Sequence, residues 1–225
     1  MSLRIPRVVK FGSDFSGLDT AAIALKRVGI PTRQAFASDT NTACRLLLSA
    51  KHQPDNIHED ITQRRPEEEE YCDVYVTTPP CQPYSSQGKR KGMKDKRAKA
   101  LSSSFQYVKR KRPRLVIFEN VKGLTHKKFR PILRGIGVAF QKMGYKLWKK
   151  VLCSSDYRVC QIRRRIFIVA IRKGSLRAPF IWPEPLGSKA LDSILGPPCP
   201  TDRAGRLPPL PRPRKLAIKA KESTH

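Results

Sequence analysis

Cys81 is the first residue in the chain whose surroundings suit chemistry. It follows the pair Pro79-Pro80 and precedes a strongly basic run, Ser85–Arg97. Proline restricts φ and removes an amide donor, so the pair can hold the chain rigid just before the thiol. Nearby cations lower the pKa of a thiol and increase the fraction present as nucleophilic thiolate. A lone cysteine is more often a buried structural residue, so the interpretation of Cys81 as a nucleophile depends on the segments that follow.

Glu119 ends an apolar run, Arg114–Glu119, that predicts a buried strand. Burial disfavours the charged form of a carboxyl group, so we expect a raised pKa and a protonated side chain near neutral pH. A protonated carboxyl can donate a hydrogen bond to a ring nitrogen. A helix-capping or salt-bridged glutamate would fit the same local sequence, so Glu119-Asn120-Val121 by itself leaves both interpretations open.

Two arginines, Arg163 and Arg165, alternate along the segment that begins at Gln161. In an extended segment alternate residues share one face, so all three side chains are expected on the same side. A pair of guanidinium groups suits a phosphate or a base carbonyl. The alternative is a solvated basic run, which is the more common role of clustered charge.

The net charge of +28 indicates a polyanionic partner, and the charge is unevenly distributed. Residues 1–73 contain 10 Lys and Arg against 11 Asp and Glu, a net charge of −1, whereas the remaining residues contain 36 against 7, a net charge of +29. The first third therefore suits a small-molecule cofactor, and the rest suits nucleic acid. A generically basic protein with solvated lysines is the alternative, but the basic residues crowd around the segments described above.

The six cysteines and four histidines form no pattern typical of a zinc site. No Cys-x-x-Cys pair occurs, and the histidines do not cluster with the cysteines, so no metal site is expected. No apolar run approaches the length of a membrane span, and residues 1–12 lack the apolar core of a secretory signal. We therefore expect an intracellular protein (nuclear, if its source is eukaryotic) with no membrane partner.

Apolar runs alternate with helical patterns, which predicts βαβ units and a mostly parallel sheet flanked by helices. This is the α/β, Rossmann-like class. Strands are expected at residues 8–11, 34–38, 73–77, 114–119, 145–152 and 165–171, and helices at 18–28, 41–50, 98–112 and 129–143.

The candidate residues follow the predicted strands at their carboxyl ends. Asp14-Phe15 follows the first strand, Asp39 the second, Pro80-Cys81 the third and Glu119-Asn120 the fourth. Ligands of open α/β sheets bind beyond these ends. The four placements therefore predict one site at this edge of the sheet.

The character of the chain changes after residue 173. Ten of the 19 prolines lie between Pro179 and Pro213, with basic residues interspersed. This composition predicts an extended or partly disordered tail, in which residues 186–195 are the one stretch with a helical pattern. We expect a catalytic domain at residues 1–173 and a basic, proline-rich tail at 174–225.

Five groups of residues, in this order, resemble the motifs of the cytosine-C5 DNA methyltransferase family. The resemblance covers about residues 5–185 and implies a class I methyltransferase fold. In chain order the groups are Asp14-Phe15-Ser16-Gly17-Leu18; Asp39 with Asp60; Pro80-Cys81-Gln82 with Ser85 and Gly88; Glu119-Asn120-Val121; and Gln161-x-Arg163-x-Arg165.

The resemblance implies a role for each matched residue. The contacts to S-adenosylmethionine would come from Phe15, Gly17, Leu18, Asp39, Asp60 and Pro80, with Asp39 on the ribose hydroxyls and Asp60 on the adenine amino group. The catalytic residues would be Cys81, Glu119, Arg163 and Arg165. The contacts to the DNA substrate would come from Gln82, Ser85, Asn120 and Gln161.

The family mechanism implies a flipped cytosine, because the target carbon cannot be reached inside a duplex. The Cys81 thiolate would attack carbon 6, while Glu119 contacts ring nitrogen 3 and the exocyclic amine. Arg165, assisted by Arg163, would hold the carbonyl oxygen or the adjacent phosphate. Carbon 5 would then take the methyl group, and an unassigned base would remove its proton.

The chain departs from the family pattern in three places. Asp19-Thr20 stands where the family has two glycines, so side chains would weaken cofactor binding if the backbone must approach there. Arg158-Val159-Cys160 stands where the family has Gly-x-Pro, which predicts a differently shaped arginine loop. A target-recognition region and the Gly-Asn pair of the family's return segment are not recognisable. A truncated product, a minimal enzyme with relaxed specificity, and one half of a split enzyme with a partner chain all remain open.

DNA methylation is the leading functional hypothesis for this sequence. Methylation of tRNA by the same family remains an alternative, because the positive charge attracts any phosphate backbone. A catalytically impaired homologue that only binds nucleic acid is a second alternative. The thiol at Cys81 favours an enzyme, because a protein that only binds nucleic acid has no need of it.

Overall fold

The computed structural model describes residues 8–80 and 96–191, with the backbone alone at 96–98. Cys81, Gln82 and Ser85 of the predicted site, and residues 192–225 of the predicted tail, lie outside these ranges. The strands are β1 (Val9–Asp14), β2 (Thr32–Ser38), β3 (Asn56–His58), β4 (Val74–Thr77), β5 (Leu115–Val121), β6 (Tyr145–Cys153) and β7 (Arg164–Arg172). The helices of two turns or more are α1 (Thr20–Arg27), α2 (Thr42–Lys51), α3 (Lys96–Lys111) and α4 (Arg130–Lys142).

The described strands form one sheet in the order β3-β2-β1-β4-β5-β7-β6. The first five of these are parallel, and β7 runs antiparallel to both β5 and β6. The strand order reverses between β1 and β4, and open α/β sheets bind ligands beyond the carboxyl ends of the strands at such a switch point. The predicted α/β class with a mostly parallel sheet is confirmed.

Each strand and helix predicted between residues 8 and 171 is present within a few residues of its predicted bounds. Strand β3 has no counterpart among the predicted strands, because Asn56–His58 is too short and too polar to show an alternating pattern. It forms through parallel pairing with the end of β2, Phe36–Ser38. The helical pattern at 186–195 is misleading in its described part, since residues 186–190 are not helical.

The segment after β7 returns to contact the rest of the sheet. The Phe180 ring packs against Trp148 of β6 with 5.3 Å between centroids, and Gly187 forms a parallel bridge with Tyr157. The predicted domain boundary at residue 173 stays a prediction. Within the described part of the chain, no helix combines the length and the apolar character needed to cross a membrane.

The two faces of β5 have different neighbours, and this decides where Glu119 points. Val116 and Phe118 are buried in the core shared with α3 and α4, which includes Tyr107 and Phe140. Side chains alternate along a strand, so Glu119 lies on the opposite face. There it is half-buried rather than packed beneath the two helices.

A buried ion pair fixes the carboxyl end of β1. The guanidinium of Arg64, from the loop after β3, donates two hydrogen bonds to the Asp14 carboxylate at 2.9 and 2.7 Å. The Asp14 and Arg64 side chains are 0% and 3% exposed. Ser38 of β2 donates to Asp14 at 2.8 Å, and the Tyr75 hydroxyl of β4 donates to it as well. Burial raises the pKa of Tyr75, which keeps its hydroxyl protonated as a donor.

The substitution Arg64→Met should reduce the free energy of unfolding by about 3–5 kcal/mol, because it leaves the buried Asp14 carboxylate without its cation. Urea denaturation of both proteins measures this difference. The neighbouring Arg65→Met is the matched control, since Arg65 pairs with Glu68 and both side chains are mostly exposed. It should change stability by less than about 0.5 kcal/mol. If both variants lost the same free energy of unfolding, the buried pair would stabilise the fold no more than the exposed one does.

Gly12 of β1 gives room for the Phe36 ring of the neighbouring strand. A Cβ at this position would lie 2.3 Å from Phe36 Cζ, so Gly12→Ala should cost about 1–3 kcal/mol through overpacking. Gly135→Ala is the control, because a Cβ there meets nothing within 4 Å on helix α4. That substitution should stabilise the protein by about 0.5–1 kcal/mol. Thermal unfolding would contradict this account if the two variants shifted in the same direction.

Candidate active site

A cleft of about 650 Å³ opens on the sheet face opposite α3 and α4. Its walls come from the end of β1 and the turn after it, from α1, β4 and β5, and from the loop that joins β6 to β7. Much of the lining is apolar, including Val76, Ile117 and Phe167. The volume lies within the usual range for small-molecule sites. The cleft is therefore the natural place for a cofactor or an extruded base.

Glu119 lies in this cleft with two arginines beside it. The Arg165 Nε lies 3.0 Å from Glu119 Oε1, and the Arg163 guanidinium lies 4.0 Å from the same oxygen. Burial raises the pKa of Glu119 above its ordinary value, although both guanidinium groups oppose the shift. The expected direction of this pKa shift is confirmed. A raised pKa shifts a carboxyl group toward its protonated form, which is the form that can donate a proton.

Asn120 anchors the chain immediately before Cys81. Its side chain is 5% exposed and donates a hydrogen bond to the Pro79 carbonyl at 3.1 Å. Thr78 donates in turn to the Phe15 carbonyl at 3.0 Å. The chain therefore enters residues 81–95 from a point held against both β5 and the turn after β1.

The turn between β1 and α1 contains three residues in the left-handed region. Phe15, Gly17 and Asp19 have φ values of 58°, 55° and 49°. Asp19 stands where the resemblance predicts glycine, and it keeps the backbone conformation that glycine adopts most readily. Its carboxylate caps α1 by accepting from the Ala22 amide at 3.2 Å. The departure from the family pattern therefore leaves the tight turn in place.

A second departure from the family pattern also keeps a positive φ. Arg158, in the loop where the resemblance predicts Gly-x-Pro, has φ of 61°. Its backbone amide donates to the Gly187 carbonyl at 3.1 Å, and its side chain donates to the Leu186 carbonyl at 3.2 Å. These contacts tie the arginine loop to the segment after β7.

Two acidic residues beyond β2 and β3 have acceptor positions that no residue of the described ranges fills. Asp39 accepts from the amides of Gly17 and Asn41, both at 2.8 Å. Asp60 accepts from the Thr62 amide at 2.8 Å. A carboxylate offers about four lone-pair sites, so each group can accept further hydrogen bonds from a ligand.

The structure brings some of the predicted residues into the cleft and leaves others outside its walls. Glu119, Arg163 and Arg165 line the cleft. Leu18 and Gln161 are exposed, and Asn120 turns into the protein interior. The residues that do not line the cleft are Phe15, Gly17, Leu18, Asp39, Asp60, Pro80, Asn120 and Gln161.

Sequence reasoning missed several residues of the cleft, among them Ser13, Asp19, Cys153 and Tyr157. Cys153 is the residue among these that could react as a nucleophile, because hydrogen bonding with Ser155 lowers the pKa of its thiol. Its only sequence signal is its position at the end of a strand. Among residues 8–80 and 96–191, no cluster of His, Cys, Asp and Glu could hold a metal ion.

Comparison with known proteins identifies the family. The model of the C-5 cytosine-specific DNA methylase family matches residues 9–203. Type II methyltransferase M.FnuDI of Fusobacterium nucleatum is 29% identical over 181 residues, which is 80% of this chain and 52% of that protein. Type II methyltransferase M.NgoMIV of Neisseria gonorrhoeae is 31% identical over 170 residues, which is 76% of this chain and 54% of that protein.

Solved structures share the fold at lower identity. A Spodoptera frugiperda DNMT2 mutant superposes with a TM-score of 0.69 and 22% identity, covering 84% of this chain and 60% of that one. S. pombe Dnmt2 methyltransferase superposes with a TM-score of 0.63 and 21% identity, covering 76% of this chain and 53% of that one. The chain spans about half the length of the two curated relatives. From the match over residues 9–203, the chain belongs to the C-5 cytosine-specific DNA methylase family.

Proposed function

We propose that this chain carries the catalytic residues of a DNA cytosine-5 methyltransferase that uses S-adenosylmethionine and the thiol of Cys81. The observation that carries the proposal is the hydrogen bond from Asn120 to the Pro79 carbonyl. It fixes the start of the segment that contains Cys81 against the strand that presents Glu119. The apolar cleft and the two arginines beside Glu119 supply the rest of the site.

S-adenosylmethionine suits the chemistry of two acidic residues beyond β2 and β3, although none of the six residues assigned to this cofactor lines the cleft. Asp39 and Asp60 have acceptor positions, unfilled within residues 8–80 and 96–191, that suit the ribose hydroxyls and the adenine amino group. Phe15, Gly17, Leu18 and Pro80 are assigned to the same ligand by their motif positions. When bound, the cofactor supplies an electrophilic methyl group.

Cys81 performs the covalent step in this proposal. Its thiolate forms a bond to carbon 6 of the flipped cytosine, and the electrons of the 5,6 double bond move toward carbon 5. Glu119, protonated, donates to ring nitrogen 3 and stabilises the negative charge that the attack places on the ring. After methylation a base takes the proton from carbon 5. The carbon–sulfur bond at carbon 6 then breaks and regenerates the thiolate.

Arg163 and Arg165 can contact both Glu119 and the DNA. Without DNA they pair with Glu119. When DNA binds, their remaining N–H groups can donate to the base carbonyl or the adjacent phosphate. Gln82, Ser85, Asn120 and Gln161 are assigned to the DNA side by their motif positions. Target recognition is assigned to residues beyond the described ranges, in this polypeptide or in a partner chain.

Covalent trapping tests the proposal. DNA containing 5-fluorocytosine should form a denaturation-resistant adduct with the wild-type protein and S-adenosylmethionine, because fluorine takes the place of the carbon-5 proton, so the elimination that would release Cys81 cannot occur. Cys81→Ser should form none, whereas Cys153→Ser should retain the adduct, since Cys153 lines the cleft without the assigned role. Denaturing electrophoresis separates the species.

Other outcomes would contradict the proposal. An adduct that persists in Cys81→Ser and disappears in Cys153→Ser would move the nucleophile to Cys153. An adduct with a fluorinated tRNA stem-loop and none with DNA would make the substrate RNA. DNA binding with no adduct and no cofactor binding would leave a nucleic-acid-binding protein.

Replacement of Glu119 by glutamine should slow adduct formation by roughly 10²- to 10⁴-fold, which is the usual contribution of a positioned proton donor. Quenched time courses on saturating DNA measure the rate. Glu68→Gln removes an exposed carboxylate and serves as the control for the loss of one negative charge. A rate for Glu119→Gln within a few-fold of the wild type would remove Glu119 from the mechanism.

The raised pKa of Glu119 also predicts how stability depends on pH. Folding favours the protonated carboxyl, so the wild-type protein should lose stability relative to Glu119→Gln as the pH rises from about 4, the ordinary range of glutamate, through the raised pKa. Thermal midpoints of both proteins across this interval measure the difference. A wild-type protein that gained relative stability over the interval would show that the arginines outweigh burial.

A further inference from the structure

We propose that the segment joining β5 to α4, together with the first turn of α4, is a contact surface for the phosphate backbone of duplex DNA, beside the cleft rather than inside it. This surface, the basic rim, is defined by five exposed cationic residues: Lys122, Lys127, Lys128, Arg130 and Arg134. The inference rests on the proposed function, because the ligand of the rim is the DNA whose cytosine enters the cleft.

The rim lies in a part of the chain that contains no acidic residue. Between Glu119 and Asp156 there are 36 residues, of which none is Asp or Glu and nine are Lys or Arg. Within residues 8–80 and 96–191, none of the five rim side chains forms an ion pair. The rim therefore presents positive charge that no neighbouring carboxylate offsets, and such a surface attracts a polyanion.

The strand directions place the rim at the same sheet edge as Glu119. The turn Lys122–Thr125 begins directly after β5, whose last residue, Val121, pairs with Arg165 of the cleft wall. Helix α4 then runs back toward the start of β6, so its first turn lies at this edge and its last turn at the opposite one. Because ligands of open α/β sheets bind beyond this edge, DNA that reaches the cleft passes close to the rim.

Buried apolar side chains hold the rim in a defined position. Leu124 is 2% exposed and belongs to the core, and Phe129 packs against the same core. The Phe129 amide donates to the His126 carbonyl at 2.9 Å, which closes the turn between Leu124 and α4. Cations on such a fixed segment lose less conformational freedom on binding than cations on a mobile chain.

The N-terminus of α4 adds to the positive charge of the rim. Helix N-termini carry partial positive charge, so they favour anions and disfavour cations. Helix α4 nevertheless begins with Arg130, has no acidic residue in its first turn and has no side-chain cap. This first turn therefore suits an external anion, and a phosphate group is the anion that helix N-termini commonly bind.

The β3 side of the sheet has the opposite charge. Residues 55–73, which contain β3 and the loop after it, include eight Asp and Glu against two Arg. Attraction at the rim and repulsion on the β3 side together direct a duplex toward the β5 side of the cleft. The duplex is thereby kept away from Asp60, which is assigned to the cofactor.

Salt-dependent DNA binding by the full chain tests the inference. The triple variant Lys122→Gln, Lys127→Gln and Lys128→Gln should lower the slope of log Kd against log salt concentration by roughly 2–3, because each lost phosphate contact releases about one counterion fewer. Fluorescence anisotropy of a labelled duplex at several NaCl concentrations measures the slope. The loss of affinity should be similar for duplexes of unrelated sequence, since phosphate contacts carry no sequence information.

The control variant carries Lys26→Gln, Lys51→Gln and Lys142→Gln, which changes the net charge by the same amount. These lysines lie in the last turns of α1, α2 and α4, at the opposite edge of the sheet. The slope for the control should change by less than about 0.5. Replacing the three rim lysines with arginine should keep the wild-type slope, because the positive charges remain.

Equal decreases in the slope for the rim variant and the control would mean that net charge alone governs binding, and would overturn the inference. So would a rim variant that keeps its DNA slope and loses affinity only for a stem-loop RNA. Thermal midpoints without DNA detect unfolding, which exposed substitutions should not cause. If the triple variant unfolds, Lys127→Gln alone should still lower the slope by about one.

The covalent adduct distinguishes failure of this inference from failure of the proposed function. The rim variant should still form the adduct with 5-fluorocytosine DNA at saturating concentration, because the rim does not contact the reacting atoms. A wild-type protein with a rim-dependent slope and no adduct would overturn methyl transfer and support the rim as a DNA-binding surface. A wild-type adduct with no effect of the rim variant on the slope would overturn the inference alone.

Discussion

The ion pair between Arg64 and Asp14 is the interaction on which the site depends. It joins residues 50 positions apart, and its hydrogen-bonded neighbours come from β2 and β4. The turn after β1 and the Thr78–Pro80 segment therefore leave the sheet from strands that one buried carboxylate holds in register. The Arg64 guanidinium also lies over the rings of Phe36 and Tyr107, at 4.8 and 5.0 Å from their centroids. The Asp14 carboxylate, the aromatic faces and the Glu69 carboxylate, 3.8 Å from Arg64 Nε, thus all stabilise this charge.

Three acidic side chains around one cleft have three different environments, and their chemistry follows from those environments. Asp14 faces a full guanidinium and serves as a structural anchor. Glu119 is half-buried, and its pKa is raised because the arginines only partly offset its burial. Asp19 has hydrogen bonds but no cation among the described residues. The differences between these three environments come from the partners of each acid rather than from the residue type.

The sequence was most informative where the pattern is local. Alternating and continuous apolar runs predicted the long strands and the helices, and the strand-end position of Glu119 predicted the direction of its pKa shift. Arg64 gave no such signal, because its partner Asp14 lies 50 positions away along the chain and no periodicity relates the two residues. Strand β3 was missed for a related reason: its pairing with β2 stabilises three polar residues that have little strand preference of their own. At Asp19 and Arg158 the backbone kept a glycine-like φ, which residue identity alone does not reveal.

Strand β6 forms one edge of the described sheet, and it is nine residues long. A long open edge is a template on which a second molecule can add a strand, and lysine side chains discourage such pairing because they must stay hydrated. Lys146, Lys149 and Lys150 are all exposed on this strand. Part of the unusual basic character of the chain therefore suits an edge strand of the described sheet, independently of any attraction to phosphate.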